Sequence, residues 1–419
     1  MAITTAGWKY LEQLRGKVFD YEFWGRMKEN PKDFTRVRRL GFKDVTLLVL
    51  NSSKRSNALE TYDFMRDVTN KEPVTQEAFN QARRKISYKA FKEFFEDSSA
   101  AALEEKDCLL FHGYRVIAID GSLVLLPKSQ ELVDRFGKTT PCKGKIYARV
   151  SLAADVLNGF LIDGEISGHD TGERKLAKRH IEKDLCEKAL YLFDRGYWNS
   201  EIAASLINKD RKFMMRIQSN HLSDVFGVDK RSGYFDFHYK EYGIKTQLRF
   251  FKFELDSGEM EYLVTNLPEE TVPNNELHSL YHLRWGVETR YNELKNLFKI
   301  EHFSGKSRQI ILQDFYATLT IMNVTAFMIL AANFKAKQKR KGKHNKLEYT
   351  VNKTFAVGVM RNRFVRILLI DDPVRRVENL DLLISDISKA VSAVRPGRAV
   401  SRHNCINKIH KRHPIKNAT

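Results

Sequence analysis

The stretch YRVIAIDGS, residues 114–122, is an apolar run that brings one aspartate, Asp120, to a glycine turn. The stretch LYLFDRGYW, residues 190–198, does the same with Asp194. Apolar, β-branched and aromatic runs of this length predict buried strands, and the glycine after each one predicts a turn. We therefore expect both aspartates at the rim of a sheet, where a ligand can reach them. For either site alone, an aspartate that merely starts a turn is the alternative.

The runs around these two stretches indicate a mixed α/β fold. Strand-like segments at residues 146–153 and 160–166 are followed by a basic helix predicted at 173–187, which leads into the second aspartate strand. Three strands, a helix and a fourth strand suit a mixed sheet. Short alternating runs broken by glycines then predict a β-rich insertion at about residues 213–272.

A long helix is predicted over residues 273–298, because a proline opens it and apolar residues recur with helical spacing. On this helix Arg284, Glu288 and Lys295 follow Tyr281 by 3, 7 and 14 residues. At about 100° per residue, the four side chains lie within an arc of roughly 60°. One acid is thus flanked by two bases and a phenol. A solvated stripe in which Arg284 pairs with Glu288 is the alternative.

The region before the first strand, residues 1–105, is predicted to be helical and to bind DNA. Runs at residues 77–86 and 88–95, with Thr75 as the N-cap, have the form of a helix-turn-helix. The residues expected to contact phosphates there are basic: Arg83, Arg84, Lys85, Lys89 and Lys92. Any basic helical hairpin shows the same pattern, so this assignment depends on the rest of the chain.

The positive charge of the chain is concentrated near one end. The net charge is +19 over 419 residues, and residues 335–419 hold 21 Lys and Arg against 6 Asp and Glu. A polyanion is the expected partner of such a basic region. A basic tail without a specific role is the alternative.

Other classes of protein fit the sequence less well. The four cysteines, Cys108, Cys142, Cys186 and Cys405, show no CxxC pair, so neither a zinc site nor a disulfide framework is indicated. No signal-peptide pattern is present at the N-terminus, and a cytoplasmic protein is expected. Residues 315–334 are uncharged and long enough to span a membrane, but five Thr and Asn side chains favour a helix buried in a large core.

The ordered motifs resemble those of a known family. Tyr281-x2-Arg284-x3-Glu288-x6-Lys295 is similar to the YREK signature of bacterial DDE transposases of the insertion-sequence-four family. The Asp120-Gly-Ser and Asp194-Arg-Gly-Tyr-Trp stretches resemble the first and second aspartate motifs of that family. The resemblance covers about residues 108–333, including the β-rich insertion.

The resemblance implies an RNase H-like catalytic core at residues 106–334, with Asp120, Asp194 and Glu288 as catalytic residues that bind two Mg²⁺ ions, for which Mn²⁺ substitutes. It implies that Tyr281, Arg284 and Lys295 contact DNA phosphates. Arg195 and Trp198, beside the second aspartate, are further predicted DNA contacts, although Trp198 and Tyr197 are equally suited to a core. Residues 335–419 are expected to bind DNA or another protomer.

The expected function is metal-dependent cleavage at transposon ends followed by strand transfer into target DNA. The expected partners are double-stranded DNA and a second copy of the chain, without a membrane, and the expected place of action is the bacterial nucleoid. An RNase H-like nuclease without strand transfer and a non-catalytic DNA-binding descendant are the alternatives. The presence of all three carboxylates argues against the second of these.

Overall fold

A computed structural model describes residues 4–137, 145–218, 230–255, 258–341 and 347–394. The N-terminal region is helical: α1 Thr5–Phe19, α2 Tyr21–Met27, α3 Phe42–Leu50, α4 Asn57–Asp63, α5 Gln76–Arg83 and α6 Tyr88–Glu104. The Thr75 side chain accepts a hydrogen bond from the Ala78 N–H at 3.2 Å, so the predicted N-cap of α5 is confirmed.

Eight strands form one mixed sheet. They are β1 Arg115–Leu126, β2 Ile146–Asp155, β3 Phe160–Gly168, β4 Ala189–Phe193, β5 Lys212–Ile217, β6 Ser232–Tyr239, β7 Ile244–Glu254 and β8 Met260–Thr265, in the order β3-β2-β1-β4-β5-β8-β7-β6. The β1–β4 and β4–β5 pairs are parallel, and the other pairs are antiparallel. The mixed α/β prediction is therefore confirmed, and the described part of the β-rich segment continues the same sheet instead of forming a separate layer.

Helices connect the strands and flank the sheet. They are α7 Gln130–Phe136, α8 Glu173–Lys183, α9 Ser200–Asn208, α10 Asn274–His282, α11 Trp285–Asn292 and α12 Arg308–Arg340. After α12 come the short strand β9 Tyr349–Val351, the helices α13 Lys353–Leu368 and α14 Pro373–Lys389, and β10 Val391–Ala393, which pairs with β9.

The long helix α12 packs at the centre of the molecule, against α6, α14 and β3. It is apolar and long enough to cross a membrane, but 83% of its 18-residue apolar stretch is buried inside the protein. Its polar side chains have partners there: the Asn323 amide accepts from the Leu161 N–H at 2.7 Å and donates to Ser98 Oγ at 2.9 Å. The uncharged segment is thus a core helix, as expected, because its polar groups bond to neighbouring elements.

Three expectations about the elements need correction. Strand β1 does not stop at Ile119 but continues to Leu126, because β2 pairs with it along its whole second half and overrides the glycine turn signal. The expected domain boundary after residue 334 lies inside α12, so the fold does not divide there. Residues 347–394 pack onto the rest of the protein, for example through Arg376 and Glu12 (2.7 Å), while residues 395–419 of the predicted basic region lie outside the described residues.

The predicted helix-turn-helix also differs from the structure. Helix α6 is a core helix that buries one whole face, and Arg83 is buried with its guanidinium bonded to Gln313, Asp314 and Ser304. Arg83 therefore cannot contact DNA phosphates. The reason is tertiary, because its partners lie on and before α12, more than 200 residues along the chain.

Candidate active site

The two aspartates lie beside each other because of how β1 and β4 pair. The parallel pairing ends at Ala118 and Leu192. Asp120 follows on β1, which continues against β2 alone, and Asp194 follows directly after the last residue of β4. The side chains that come after this point share the edge at which parallel strands end, so the sheet topology brings the two carboxylates together.

Asp120 carries a negative charge that its surroundings do not fully compensate. Burial is the main reason that the pKa of its carboxyl is raised to about 6, and the nearby charges of Glu173 and Asp194 add to the shift. The Gly121 N–H donates to Asp120 Oδ1 at 2.8 Å, and this bond and the charge of Arg284 act in the opposite direction. A cation bound here would relieve the excess of negative charge.

Gly121 lies against the side chain of the first residue of α8. A Cβ atom at this position would lie 2.9 Å from Cγ of Glu173, which forms an ion pair with Arg149 on β2, so a side chain here would displace Glu173. The glycine of the DGS sequence therefore lies at a close approach of α8 to β1, and not at a turn. Glu173 is the site residue that sequence reasoning missed, since nothing in its local pattern relates the start of α8 to a strand some 50 residues earlier.

The predicted long helix is built from three pieces. Helix α10 ends at His282, a tight turn at Leu283 and Arg284 leads into α11, and a π-helical turn follows at Glu293–Leu297. A π-helical turn changes the direction of the side chains that follow it in a helix, and such turns occur often at functional sites. The simple arc predicted from 100° per residue therefore does not hold over the whole set of four residues.

Contacts show where the four side chains go. The Tyr281 hydroxyl donates to Asp194 Oδ1 at 3.3 Å, and Arg284 Nη2 donates to Glu288 Oε1 at 3.1 Å. Lys295, beyond Glu293, turns toward β1 instead, where its Nζ donates to Ser122 Oγ at 2.7 Å and to the Leu123 carbonyl at 2.8 Å. The structure thus brings Tyr281 and Arg284 to the carboxylates, and Lys295 to the strand just after Asp120.

Arg284 is the most confined cation at the site. Only 4% of the residue is exposed, and its Nε has no hydrogen-bond partner among the residues that the structure describes. Burial lowers the pKa of its guanidinium, but the nearby Tyr281, Asp194 and Glu288 outweigh this and raise it. A buried donor without a hydrogen-bond partner is costly to the stability of the fold.

The residues that follow Asp194 divide into exposed and buried ones. Arg195 is exposed at the edge of the site, as a DNA contact requires. Trp198 is only 6% exposed and Tyr197 2%, and both belong to the main hydrophobic core. Stacking of Trp198 on a base is thus not supported, because the indole is already packed. The structure gives it the core role that the sequence left open.

The donor set of the site fits a divalent metal ion in chemistry. Asp120 and Asp194 offer carboxylate oxygens, the ligands that hard dications prefer, and burial is the main reason that the pKa of the Asp120 carboxyl is raised. In the described ranges no three His, Cys, Asp or Glu side chains form a group that could hold a metal ion together. Glu288 is bonded to Arg284, so we expect it to join the aspartates only when this ion pair opens.

Two aspartates at neighbouring strand ends, faced by a helix with an arginine–glutamate pair, define a carboxylate site at the edge of a mixed sheet. Residues 111–324, slightly more than half of the chain, match the family model described as "Transposase DDE domain" and include all of these residues. The chain belongs to this family.

Individual relatives are similar over shorter lengths. The transposase for insertion sequence element IS231C of Bacillus thuringiensis subsp. berliner is 26% identical over 175 residues, which is 42% of this chain and 34% of the relative. The IS231F transposase of subsp. israelensis is 35% identical over 75 residues, 18% of this chain and 15% of the relative. The matches thus span about a third or less of these relatives.

One solved structure is similar in outline. It is the cryo-EM structure of the piggyBac transposase synaptic complex with hairpin DNA, at 10% identity and a TM-score of 0.48, with coverage of 89% of this chain and 85% of that chain.

Proposed function

We propose that the protein is a DNA transposase of an insertion sequence that cuts at the ends of its element and joins them to target DNA. The observation that carries the proposal is the meeting of Asp120, Asp194 and the Arg284–Glu288 pair at one sheet edge, within the part of the chain that matches the transposase family. Membership of the insertion-sequence-four family and its YREK signature are part of this proposal.

The proposed catalytic core is RNase H-like. The strand order β3-β2-β1-β4-β5, antiparallel over the first three strands and parallel over the last two pairs, supports it. We propose that residues 1–105 bind DNA, that the chain from about residue 106 to the end of α12, with the insertion at about 213–272, forms the catalytic part, and that the residues after α12 contribute DNA or protomer contacts. Action in the bacterial cytoplasm as a DNA-bound homodimer completes the proposal.

The proposed mechanism assigns each residue of the site a task. Asp120, Asp194 and Glu288 would hold divalent metal ions, two Mg²⁺ or Mn²⁺, which when bound stabilise charge on the attacking and leaving oxygens. Tyr281 holds the Asp194 carboxylate through its hydroxyl. A phosphate oxygen next to the scissile bond would accept from the Arg284 Nη2 that now donates to Glu288. An incoming phosphate that takes over Arg284 would release Glu288 toward the aspartates.

A basic groove on the N-terminal region is the proposed contact for the DNA backbone. It is lined by Lys32, Arg36, Arg38, Arg39 and Lys85 together with neutral side chains, and no acidic residue is among those lining it. The three arginines are exposed. Lys85 approaches the carboxylate of Asp33 at 3.8 Å. This groove would replace the phosphate contact expected of the buried Arg83, and it includes Lys85, one of the basic residues predicted from the helical hairpin.

The proposal is tested with Asp120→Asn, Asp194→Asn and Glu288→Gln in a metal-dependent assay with matched end fragments. Each variant should lose cleavage and joining while DNA binding and circular dichroism remain, because an amide is a poorer ligand for a hard dication. The activation free energy should rise by several kcal/mol, and each increase of about 1.4 kcal/mol lowers the rate tenfold. Full activity of two of the three variants would refute the proposed site.

The same assay separates the proposal from an RNase H-like nuclease. Purified protein, Mg²⁺ and a library of end fragments are incubated with a target plasmid, and the products are examined for new covalent junctions. Junctions that depend on Asp120 identify a transposase. Nicked fragments without junctions identify a nuclease. The absence of both nicked fragments and junctions identifies a DNA-binding descendant.

A further inference from the structure

The main-chain carbonyl of Asp120 is held by a side chain from the helix that carries Glu288. The Tyr291 hydroxyl donates to the Asp120 carbonyl at 2.7 Å and lies 3.1 Å from the Val150 carbonyl on the neighbouring strand β2. Tyr291 is only 6% exposed. Its hydroxyl is therefore sheltered from solvent and bonds to the backbone at the position of the first aspartate.

Tyr291 lies three residues after Glu288 on α11, so the same turn of helix bears both side chains. The helix approaches the sheet closely: a Cβ on Gly286 would lie 2.7 Å from Cβ of Val156. Farther along, Arg290 Nη1 donates to the Gly159 carbonyl at 3.1 Å. Among these contacts, that of Tyr291 is the one made to Asp120 itself.

A second side chain, that of Ser151, also lies near the Asp120 carbonyl. Ser151 Oγ lies 3.4 Å from it and 2.9 Å from Nε2 of His180, whose Nδ1 is 2.6 Å from Asp163 Oδ2. The three side chains have the order of a Ser-His-Asp nucleophile group, but all three are buried and no substrate could reach Ser151. They support the backbone of β1. Tyr291 is the residue that connects this backbone to the helix that bears Glu288.

We propose that Tyr291 is a positioning residue, which sets the placement of Asp120 relative to Glu288 and thereby the geometry of the metal-binding carboxylates. This inference rests on the proposed function. Because misplacement by about 1 Å can reduce catalysis on the order of a hundredfold, one hydrogen bond between the two elements that bear the carboxylates has a large influence. Tyr291 does not touch the substrate and acts through Asp120.

The test is Tyr291→Phe, which keeps the ring and removes only the hydroxyl. We expect kcat for end cleavage to fall by roughly tenfold or more while KM for the DNA end is unchanged. The Mn²⁺ concentration for half-maximal binding, measured by calorimetry with a DNA end bound, should rise. The matched control is Tyr10→Phe, because the Tyr10 hydroxyl is also buried and bonds to a distant carbonyl, that of Phe94 at 3.0 Å. It should lose comparable stability but keep the parental kcat and Mn²⁺ titration.

Gly286→Ala provides a second variant, since its methyl group would push α11 away from Val156 and should give the same kinetic signature. It decides the question if Tyr291→Phe does not fold. Parental kcat and Mn²⁺ binding in the variants overturn the inference, as does an equal loss in Tyr10→Phe. If the parental protein binds Mn²⁺ through Asp120 but neither cuts nor joins DNA, the proposed function is wrong. In that case the Mn²⁺ titration alone shows whether Tyr291 positions Asp120.

Discussion

Arg284 has one nitrogen bonded to a carboxylate and another buried without a partner among the described residues. Its Nη2 is bonded to Glu288 at 3.1 Å, while its Nε is buried without a partner in the described part of the chain. A planar guanidinium can hold a carboxylate and a phosphate at the same time or exchange one for the other, which a lysine ammonium does less well. The geometry therefore favours arginine at this position over any other cation.

Arg284→Lys and Arg284→Ala should reduce end cleavage more than DNA affinity, because the proposed contact is beside the scissile phosphate and not along the duplex. The loss of one charged hydrogen bond costs roughly 1.5 to 3 kcal/mol, or about ten- to a hundredfold in rate. Single-turnover cleavage and gel-shift titrations measure the two effects. Arg195→Ala is the exposed comparison and should weaken binding slightly with little change in the single-turnover rate. Equal cleavage by Arg284→Ala and the parental protein would remove Arg284 from the site.

At the scale of elements, the N-terminal helices have a different role from the one their charge pattern indicates. Helices α5 and α6 lie against α12, and the basic groove is formed mainly by the segment at residues 32–39 between helices. A loop can present several cations without burying any of them, whereas α6 must bury one face in the core. DNA contact is thus expected at the loop and not along the predicted recognition helix.

Replacing Arg36, Arg38 and Arg39 together by Gln should lower DNA affinity and flatten its salt dependence. The slope of log affinity against log salt should fall by about 0.9 for each phosphate that the variant no longer neutralises. The comparison is Arg84→Gln with Lys89→Gln, two exposed residues of the helical hairpin. Fluorescence anisotropy at salt concentrations from about 50 to about 200 mM measures the salt slopes of the two variants. A larger effect of the hairpin variant would favour the original helix-turn-helix interpretation.

At the scale of the whole molecule, α12 joins the N-terminal helices to the sheet and the C-terminal helices. Arg83 on α5 donates to Asp314 at 2.8 Å, and both side chains are buried. Burial raises the pKa of the Asp314 carboxyl, but Arg83, Lys54 and the Ser304 N–H outweigh it and lower that pKa to about 2. The ion pair therefore holds two distant parts of the chain in one core.

Asp314→Asn should lower the free energy of unfolding by roughly 3 to 5 kcal/mol near neutral pH, since it leaves the Arg83 charge buried without its partner. Because the folded pKa lies below the ordinary value near 3.8, the stabilisation is complete above about pH 4 and is lost as the pH falls toward 2. Urea unfolding of both proteins at pH 7, 4 and 3 measures it. A difference between the two proteins that stays constant at all three pH values would contradict this assignment.

The C-terminal charge can be tested only by a truncation that respects the fold. Ending the chain after Phe334 would cut α12 and remove α13 and α14, so this variant should lose much of its stability. Ending it after Val394 removes seven Lys and Arg and no acid. The shorter truncation should keep the melting temperature and reduce the salt slope of DNA binding. An unchanged slope would mean that these residues do not contact DNA.

Local patterns in the sequence predict the strands that lead to the two aspartates and the residue types on the glutamate helix. The runs at residues 114–119 and 190–193 predict strands, because a buried strand needs a local excess of β-branched and aromatic residues. The order of the motifs indicated the family, since carboxylate chemistry requires particular residues at particular places.

Contacts between distant parts of the chain determine which charges are buried and which remain available. Arg83 and Asp314 are 231 residues apart, Tyr291 and Asp120 are 171 apart, and Lys295 reaches β1 across 173 residues. Helical or strand periodicity extends over a few residues and carries no information about such partners. A basic residue on an amphipathic helix therefore looks the same in the sequence whether it binds DNA or closes an ion pair in the core.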